Sequence, residues 1–446
     1  MTKQTAQINA GATLENLRSV IDTCNIPRVI GEIVVVRNLY MEALLPGISM
    51  GSRVKISTSR GNSIAAEVIS LDGSRVGLAP LASTSGVAVG DSVEQTNNED
   101  FILCGPGLLG RVVDPLSNPL DAKGVLKDVR PWAMNRSSPP PLSRLDVDEQ
   151  LITGIKVIDG CLALGEGQRV ALIAGPGMGK TTIIGTMAAR ATCDVSVICL
   201  VGERGREVRE FLDDLLGTEG LERSVVIVAA ADDPPMLKAK ALAAATSTAE
   251  WFRARGDNVL LVVDSLTRVV RAKRDVALTL GDVPARNGHP VSSFADLPSL
   301  FERAGRNDLG SITAVYAVLI EGGEKDPLAE EVRSLADGHI VLSGKLAQAG
   351  SWPAVDFVES VSRVMPRIVT KDQLLAAAEL RRVMSAYQKN EDLILMGAYR
   401  SGTCRDTDAA LKNKKKIERF LRQPLDKIST SAETKTALLA LAKFIS

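Results

Sequence analysis

The sequence predicts an α/β protein in three parts: a small N-terminal β-barrel, a central α/β domain on a mostly parallel sheet, and a C-terminal helical domain. Three observations predict it. Short β-rich runs crowd residues 29–94 without helical spacing between them. Apolar strands then alternate with helical segments, the pattern of a parallel sheet with helices on its faces. After Pro366 the pattern is helical to the end. At 446 residues the chain is too long for one simple core. The expected division is 1–95, 96–368 and 369–446.

The elements follow in order. Leu14, Leu17, Val20, Ile21 and Cys24 recur at helical spacing and predict one short amphipathic helix. Its polar face is not especially basic, so it is expected to pack on its own domain rather than on a membrane. Strands are expected over Val29–Val36, Arg53–Ser57, Ala65–Ser70 and Arg75–Leu78, with Asp72-Gly73 as a hairpin turn, and the barrel is expected to end near Glu94. Ser138-Pro139-Pro140-Pro141 reads as an extended lead-in. Parallel strands are expected at Val195–Val201, Ser224–Ala229, Val259–Val263 and Ser311–Leu319, with a helix opening near Pro234-Pro235. Thr370 and Gln373 have capping-box spacing at the head of the C-terminal helices. Lys412-Asn413-Lys414-Lys415-Lys416 reads as the solvated face of a helix.

Composition excludes several classes. Lysine plus arginine number 53, as do aspartate plus glutamate, so no net field recruits nucleic acid or an acidic membrane. Aromatic residues are 3% of the chain, too few for a base-stacking surface. The six cysteines have no zinc or redox spacing and read as reduced residues of a cytosolic protein. His289 and His339 are the only histidines, which excludes a multi-histidine metal site. The first residues lack the apolar core of a secretory signal, and no apolar run is long enough to span a bilayer.

The chemistry concentrates in one run. The apolar segment Val170–Ile173 leads into Ala174-Gly175-Pro176-Gly177-Met178-Gly179-Lys180-Thr181-Thr182, and a helical pattern follows. A polyphosphate needs such a strand–turn–helix: N–H groups exposed by glycine, a lysine for the β- and γ-phosphates, and a hydroxyl for magnesium. Gly175 to Thr182 are therefore the expected phosphate cradle, with Lys180 on the terminal phosphates and Thr181 on the ion. Pro176 stiffens the loop and removes one N–H. Asn258–Asp264 is an apolar strand that ends in a carboxylate, which suits Asp264 to metal-bound water. Glu203 follows another apolar strand. Ligands of open α/β sheets sit beyond the C-terminal strand ends, so Glu203 is expected to face the nucleotide as base or water-positioning group. A further cation is needed for the developing charge, and Arg204, Arg268, Arg303, Arg333 and Arg363 are the candidates.

At this point the chain resembles the rotary-type ATPases, and among them the type III secretion and flagellar export ATPases. The likeness runs from about residue 30 to the C-terminus. It rests on Leu109–Asp114, Thr153–Gly160, the phosphate loop, Gly202–Val208, Asp264–Arg268, Leu300–Gly305, Asp337–Ser343 and Ser360–Met365. The resemblance implies a RecA-like central domain binding ATP and Mg2+. It implies that Glu203 is the catalytic glutamate, that Arg204 and Glu207 lie by the γ-phosphate and the metal, and that Trp352 lies against adenine. It implies that Arg363 is an arginine finger given to the neighbouring subunit, within a homo-oligomer of six. Ile158–Leu162 and Gly165–Arg169 lean towards the secretion branch, with flagellar export as the alternative. Implied partners are central stalk and peripheral stator proteins, chaperone–effector complexes and the export gate at the cytoplasmic face of the inner membrane, with no nucleic acid. Two further readings are a non-hydrolysing ring subunit of an ATP synthase type and an RNA translocase. The presence of both Glu203 and Lys180 disfavours the first, and the few clustered positive charges between residues 28 and 94 disfavour the second.

Overall fold

The computed structural model describes residues 30–97, 100–320, 326–424 and 427–445. The expected helix at Leu14–Cys24 lies outside the described residues. Those described fall into two compact units, residues 30–80 with 84–97, and 81–83 with the remainder.

In the first unit, β1 (Ile30–Val36), β2 (Met41–Leu44), β3 (Arg53–Ser57), β4 (Ser63–Asp72), β5 (Arg75–Pro80) and β6 (Ser92–Asn97) close into a barrel in the order β1-β2-β5-β4-β3-β6. Alternation makes it: Val54 and Ile56 on β3, and Met41 and Ala43 on β2, point inward with Ile33, Leu78 and Val93. Asp72 pairs with Arg75 across a two-residue turn in which Gly73 has φ 61°, as the hairpin signal requires. The sequence pattern passes over β2 and β6. Met-Glu-Ala-Leu has no β-branched residue, and β6 carries polar Glu94, Gln95 and Thr96; pairing with neighbours decides both.

In the second unit, β7 (Phe101–Cys104) pairs with β9 (Arg130–Ala133) and β10 (Gln150–Leu151) with β11 (Leu164–Gly165). The main sheet contains β8 (Arg111–Val113), β12 (Arg169–Ala174), β13 (Val195–Val201), β14 (Ser224–Ala229), β15 (Asn258–Asp264), β17 (Ser311–Leu319), β18 (Gly338–Leu342) and β19 (Val355–Ser362), and β16 (Gly305–Arg306) flanks β17. Its order is β19-β18-β12-β17-β15-β13-β14-β8. The pairs from β18 to β8 are parallel, and β19 is antiparallel to β18. β13 and β14 are buried at every residue, because helices cover both faces. One face packs Ile183, Ile184 and Phe211, and the other packs Leu242, Phe252 and Val269. The helix Pro235–Arg253 opens with proline in its first turn, where no N–H is missed.

The helices Lys371–Leu395, Arg405–Leu421 and Ser431–Ile445 join the same core through Leu380, Phe420 and Leu438. Thr370 does precede the first of them, but the capping box does not form: its side chain makes no cap bond. Gln373 instead donates to the Asp159 carbonyl at 3.0 Å, because burial against the Lys156–Cys161 helix supplies an acceptor there. No helix among the described residues is long and apolar enough to cross a membrane.

Candidate nucleotide site

The phosphate loop sits where β12 ends. Gly175–Gly179 turns into the helix Lys180–Arg190, with Gly177 at φ 73° and Gly179 at φ 80°. Gly179 is doubly constrained, since a Cβ there would lie 2.7 Å from the Trp352 ring. The two residues are 173 positions apart by number, yet the indole packs on the loop. Pro176 is exposed, and the Gly175 N–H donates to the Met178 sulfur at 3.2 Å.

Adjacent strand ends supply the acids. β15 delivers Asp264, fully buried, and Lys180 forms an ion pair with it. The Thr181 hydroxyl reaches the same carboxylate at 3.5 Å. β13 delivers Glu203 through Gly202, which has φ 71° and leaves no room for a Cβ beside Arg268. Glu203 hydrogen-bonds Glu207 in the first turn of the Gly205–Glu210 helix. Burial first, and that bond second, push the Glu203 carboxyl above the ordinary carboxylate range, while Lys180 and Arg268 pull it back. The same bond holds Glu207 low. Burial brings Lys180 down to about 8, with Glu203 opposing and Arg268 assisting.

Two cavities flank this centre. One, of about 400 Å³, is walled by Ile155, Thr182, Thr186, Arg190, Trp352 and Gln423. The other, of about 360 Å³, is walled by Thr181, Glu203, Glu207, Phe211 and Asp264. The first is apolar with an aromatic wall and suits a nucleobase. The second is acidic and suits a hydrated cation beside phosphates.

The structure therefore brings Gly175, Pro176, Gly177, Met178, Gly179, Lys180, Thr181, Thr182, Glu203, Glu207, Asp264 and Trp352 into one neighbourhood. Arg204 stands beside it, with its side chain 82% exposed and 3.9 Å from Glu207. Arg363 is not in it. Its N–H bonds the Asp337 carbonyl at 3.0 Å, and the Asp337 N–H bonds the Arg169 carbonyl at 2.8 Å. Arg169 begins β12 and the phosphate loop follows its other end, so about 16 Å of strand separates Arg363 from Lys180. Among the other candidate cations, Arg303 is committed to a buried pair with Glu250 at 2.7 Å and to the Met134 carbonyl at 2.8 Å. Arg268 faces Glu203.

Sequence reasoning missed Ile155, Thr186, Arg190 and Gln423. Thr182, Thr186 and Arg190 lie four apart on the loop's own helix, so helical spacing carried that signal. Gln423 had none, because the contacts that bring it to Ile155, with Gly154 and Lys156, lie more than 260 residues away.

Comparison with known proteins gives the family. Residues 26–97 match the β-barrel domain of the ATP synthase alpha/beta family, 154–362 its nucleotide-binding domain, and 369–440 the T3SS EscN ATPase C-terminal domain. The chain is 41% identical to the flagellum-specific ATP synthase of Bacillus subtilis, over 92% of this chain and 94% of that protein. It is 40% identical to the type 3 secretion system ATPase of Xanthomonas euvesicatoria, over 94% and 95%. The assembled ATPase EscN of the enteropathogenic E. coli type III secretion system superposes with a TM-score of 0.88 at 40% identity, over 92% of this chain and all of that one. The same protein in complex with its central stalk EscO gives 0.85. The buried Lys180–Asp264 pair, the facing Glu203 and the aromatic wall at Trp352 thus stand in an ATP-hydrolysing enzyme, and the chain belongs to the family of type 3 secretion system and flagellum-specific ATPases.

Proposed function

We propose that this ATPase works in a ring of six like subunits, each site completed by the neighbour's Arg363, and energises protein export by a type III secretion apparatus. One observation carries the reading: Lys180, Asp264 and Glu203 converge at one end of the sheet while Arg363 lies exposed at the other. One chain does not bring Arg363 to its own phosphate loop; a head-to-tail ring supplies it from the neighbour.

In this reading the N–H groups of the loop and Lys180 bind the β- and γ-phosphates. Trp352 covers the base with its ring face. Glu203 takes a proton from the water that attacks the γ-phosphorus; the bond to the bridging oxygen breaks, and ADP and phosphate form. Arg363 of the next subunit, and Arg204 beside the cavity, meet the charge that develops on the transferred group. Asp264 and Thr181 offer oxygen donors of the kind Mg2+ takes, with Glu207 across the cavity, and would hold that ion against the phosphates. When bound, it neutralises charge on the β- and γ-oxygens.

The match of residues 369–440 to the T3SS EscN C-terminal domain supports the secretion branch. Flagellar export is the second reading, supported by the flagellum-specific relative at 41% identity. A cytoplasmic place at the inner membrane follows from this function, with a central stalk, stator proteins, chaperone–effector complexes and the export gate as partners. The division into 1–95, 96–368 and 369–446 belongs to the same proposal.

Turnover of ATP by the purified chain tests the site. Lys180→Ala should lose hydrolysis and most nucleotide binding. Glu203→Gln should bind ATP as tightly as wild type and turn it over at least about a hundredfold more slowly. Full activity in Glu203→Gln would remove the base from this account.

A further inference from the structure

Gln423 follows the helix Arg405–Leu421 and reaches back to the wall of the base cavity. Its hydrogen-bonding capacity is committed to the protein. The side-chain oxygen accepts the Lys156 N–H at 2.8 Å. The two amide hydrogens go to the carbonyls of Gly154 and Lys427, each at 2.8 Å. The backbone N–H donates to the Trp352 carbonyl at 2.9 Å. Gln423 is buried, so each of these bonds replaces a lost water contact. A second fastening lies beside it, where the Lys156 ammonium donates to the Arg422 carbonyl at 2.9 Å. Between the fastened Gly154 and Lys156 stands Ile155, one wall of the cavity, and Trp352 is another.

We infer that Gln423 is a positioning residue for the nucleobase: it locks Ile155 and Trp352 to the C-terminal helices, so that the base cavity keeps its shape only while those helices are docked. The inference rests on the reading of this cleft as the ATP site. With both amide hydrogens taken, Gln423 donates nothing to the base; its side chain acts through the Ile155 wall, and its backbone N–H bond to Trp352 survives substitution at this position. The phosphate loop is held separately, by β12 and the Lys180 helix. Loss of the glutamine therefore weakens capture of the base and leaves the grip on phosphates alone.

Steady-state ATP turnover in Gln423→Met and Gln423→Ala, beside competition by inorganic tripolyphosphate, tests this. The expected result is an ATP KM raised about tenfold with kcat within about twofold of wild type, and an unchanged inhibition constant for tripolyphosphate. Lys156→Met, which removes only the outer fastening, should give the same split to a smaller degree, and serves if both glutamine variants fail to fold. An unchanged ATP KM in folded Gln423 variants, with Lys180→Ala inactive, overturns the role of Gln423 and leaves the nucleotide site standing. Equal weakening of ATP and tripolyphosphate also overturns it, because the defect would then be general. Wild-type turnover in Lys180→Ala would overturn both this inference and the site beneath it.

Discussion

Asp159 places a carboxylate inside the core, next to the helices that close the C-terminal end. It is 2% exposed and accepts from the Thr153 N–H at 2.8 Å, the Thr153 hydroxyl at 2.7 Å and the Gly154 N–H at 2.9 Å. Burial nevertheless dominates those donors and pushes the carboxyl up to about 6 from 3.8. An acid raised on folding favours the protonated native state. Its contribution is whole below about pH 4 and is lost as pH rises through about 6. The unfolding free energy of wild type relative to Asp159→Asn should therefore fall between these pH values, by up to about 3 kcal/mol at about 1.4 kcal/mol per unit. Urea melts of both proteins at pH 4, 5, 6 and 7 measure it; a flat difference would show Asp159 ionised throughout. Lys180 shows the same balance with the opposite sign, since burial depresses an ammonium that nearby Glu203 supports.

The element after Glu203 is wound unusually. Gly205–Glu210 is α-helical, Phe211–Leu216 widens to a π-helix, and Gly217 follows at φ 65°. Wide turns of this kind arise where packing outweighs ideal hydrogen bonding, often beside functional groups. Here the packing partner is the phosphate-loop helix. Gly185 in that helix leaves space that Leu215 fills, and a Cβ at Gly185 would stand 2.7 Å from the Leu215 Cβ. The acidic cavity wall carrying Glu207 is thus seated directly on the helix carrying Lys180. Gly185→Ala gains about 1 kcal/mol of helix propensity yet must push the segments apart, at a cost of about 1–3 kcal/mol. We expect a net loss of thermal stability together with slower turnover, and partial recovery in Gly185→Ala/Leu215→Ala. A thermal melt of the single variant at or above wild type would show that the contact yields freely.

At the scale of the molecule, a parallel sheet has two chemically different ends. Lys180, Glu203 and Asp264 gather at the C-terminal ends of β12, β13 and β15, as open α/β sheets arrange their ligand groups. Arg363 leaves β19 at the other end because β19 runs antiparallel to its neighbour β18. An exposed arginine there has no phosphate of its own chain to meet, but it can meet that of a second copy. Equal mixing of Lys180→Ala with Arg363→Ala should then restore up to roughly a quarter of wild-type ATPase activity, the share of interfaces that combine an intact loop with an intact arginine. Two inactive parents that stay inactive in rings proven to be mixed would argue against sharing of the site.

Much of this architecture was legible along the chain. Val170–Ala174, Val195–Val201 and Val259–Val263 announce buried parallel strands by their apolar runs, and the glycines of 175–179 announce the turn, because strand burial and left-handed φ are local demands. Lys180, Glu203 and Asp264 were legible as chemistry because each stands at the C-terminal end of such a strand or in or just past the turn that follows it. Other features were not. β2 and β6 lack strand-forming sequences and exist through pairing, and Gln373 abandons its cap for an acceptor that a distant helix supplies. Gln423 joins the base cavity, and Arg363 departs from the phosphate end, only because the folded sheet and its covering helices set distant residues side by side or apart. Residue patterns dictate what a short segment can bury or bend; which segments meet depends on long-range packing, and that is decided in three dimensions.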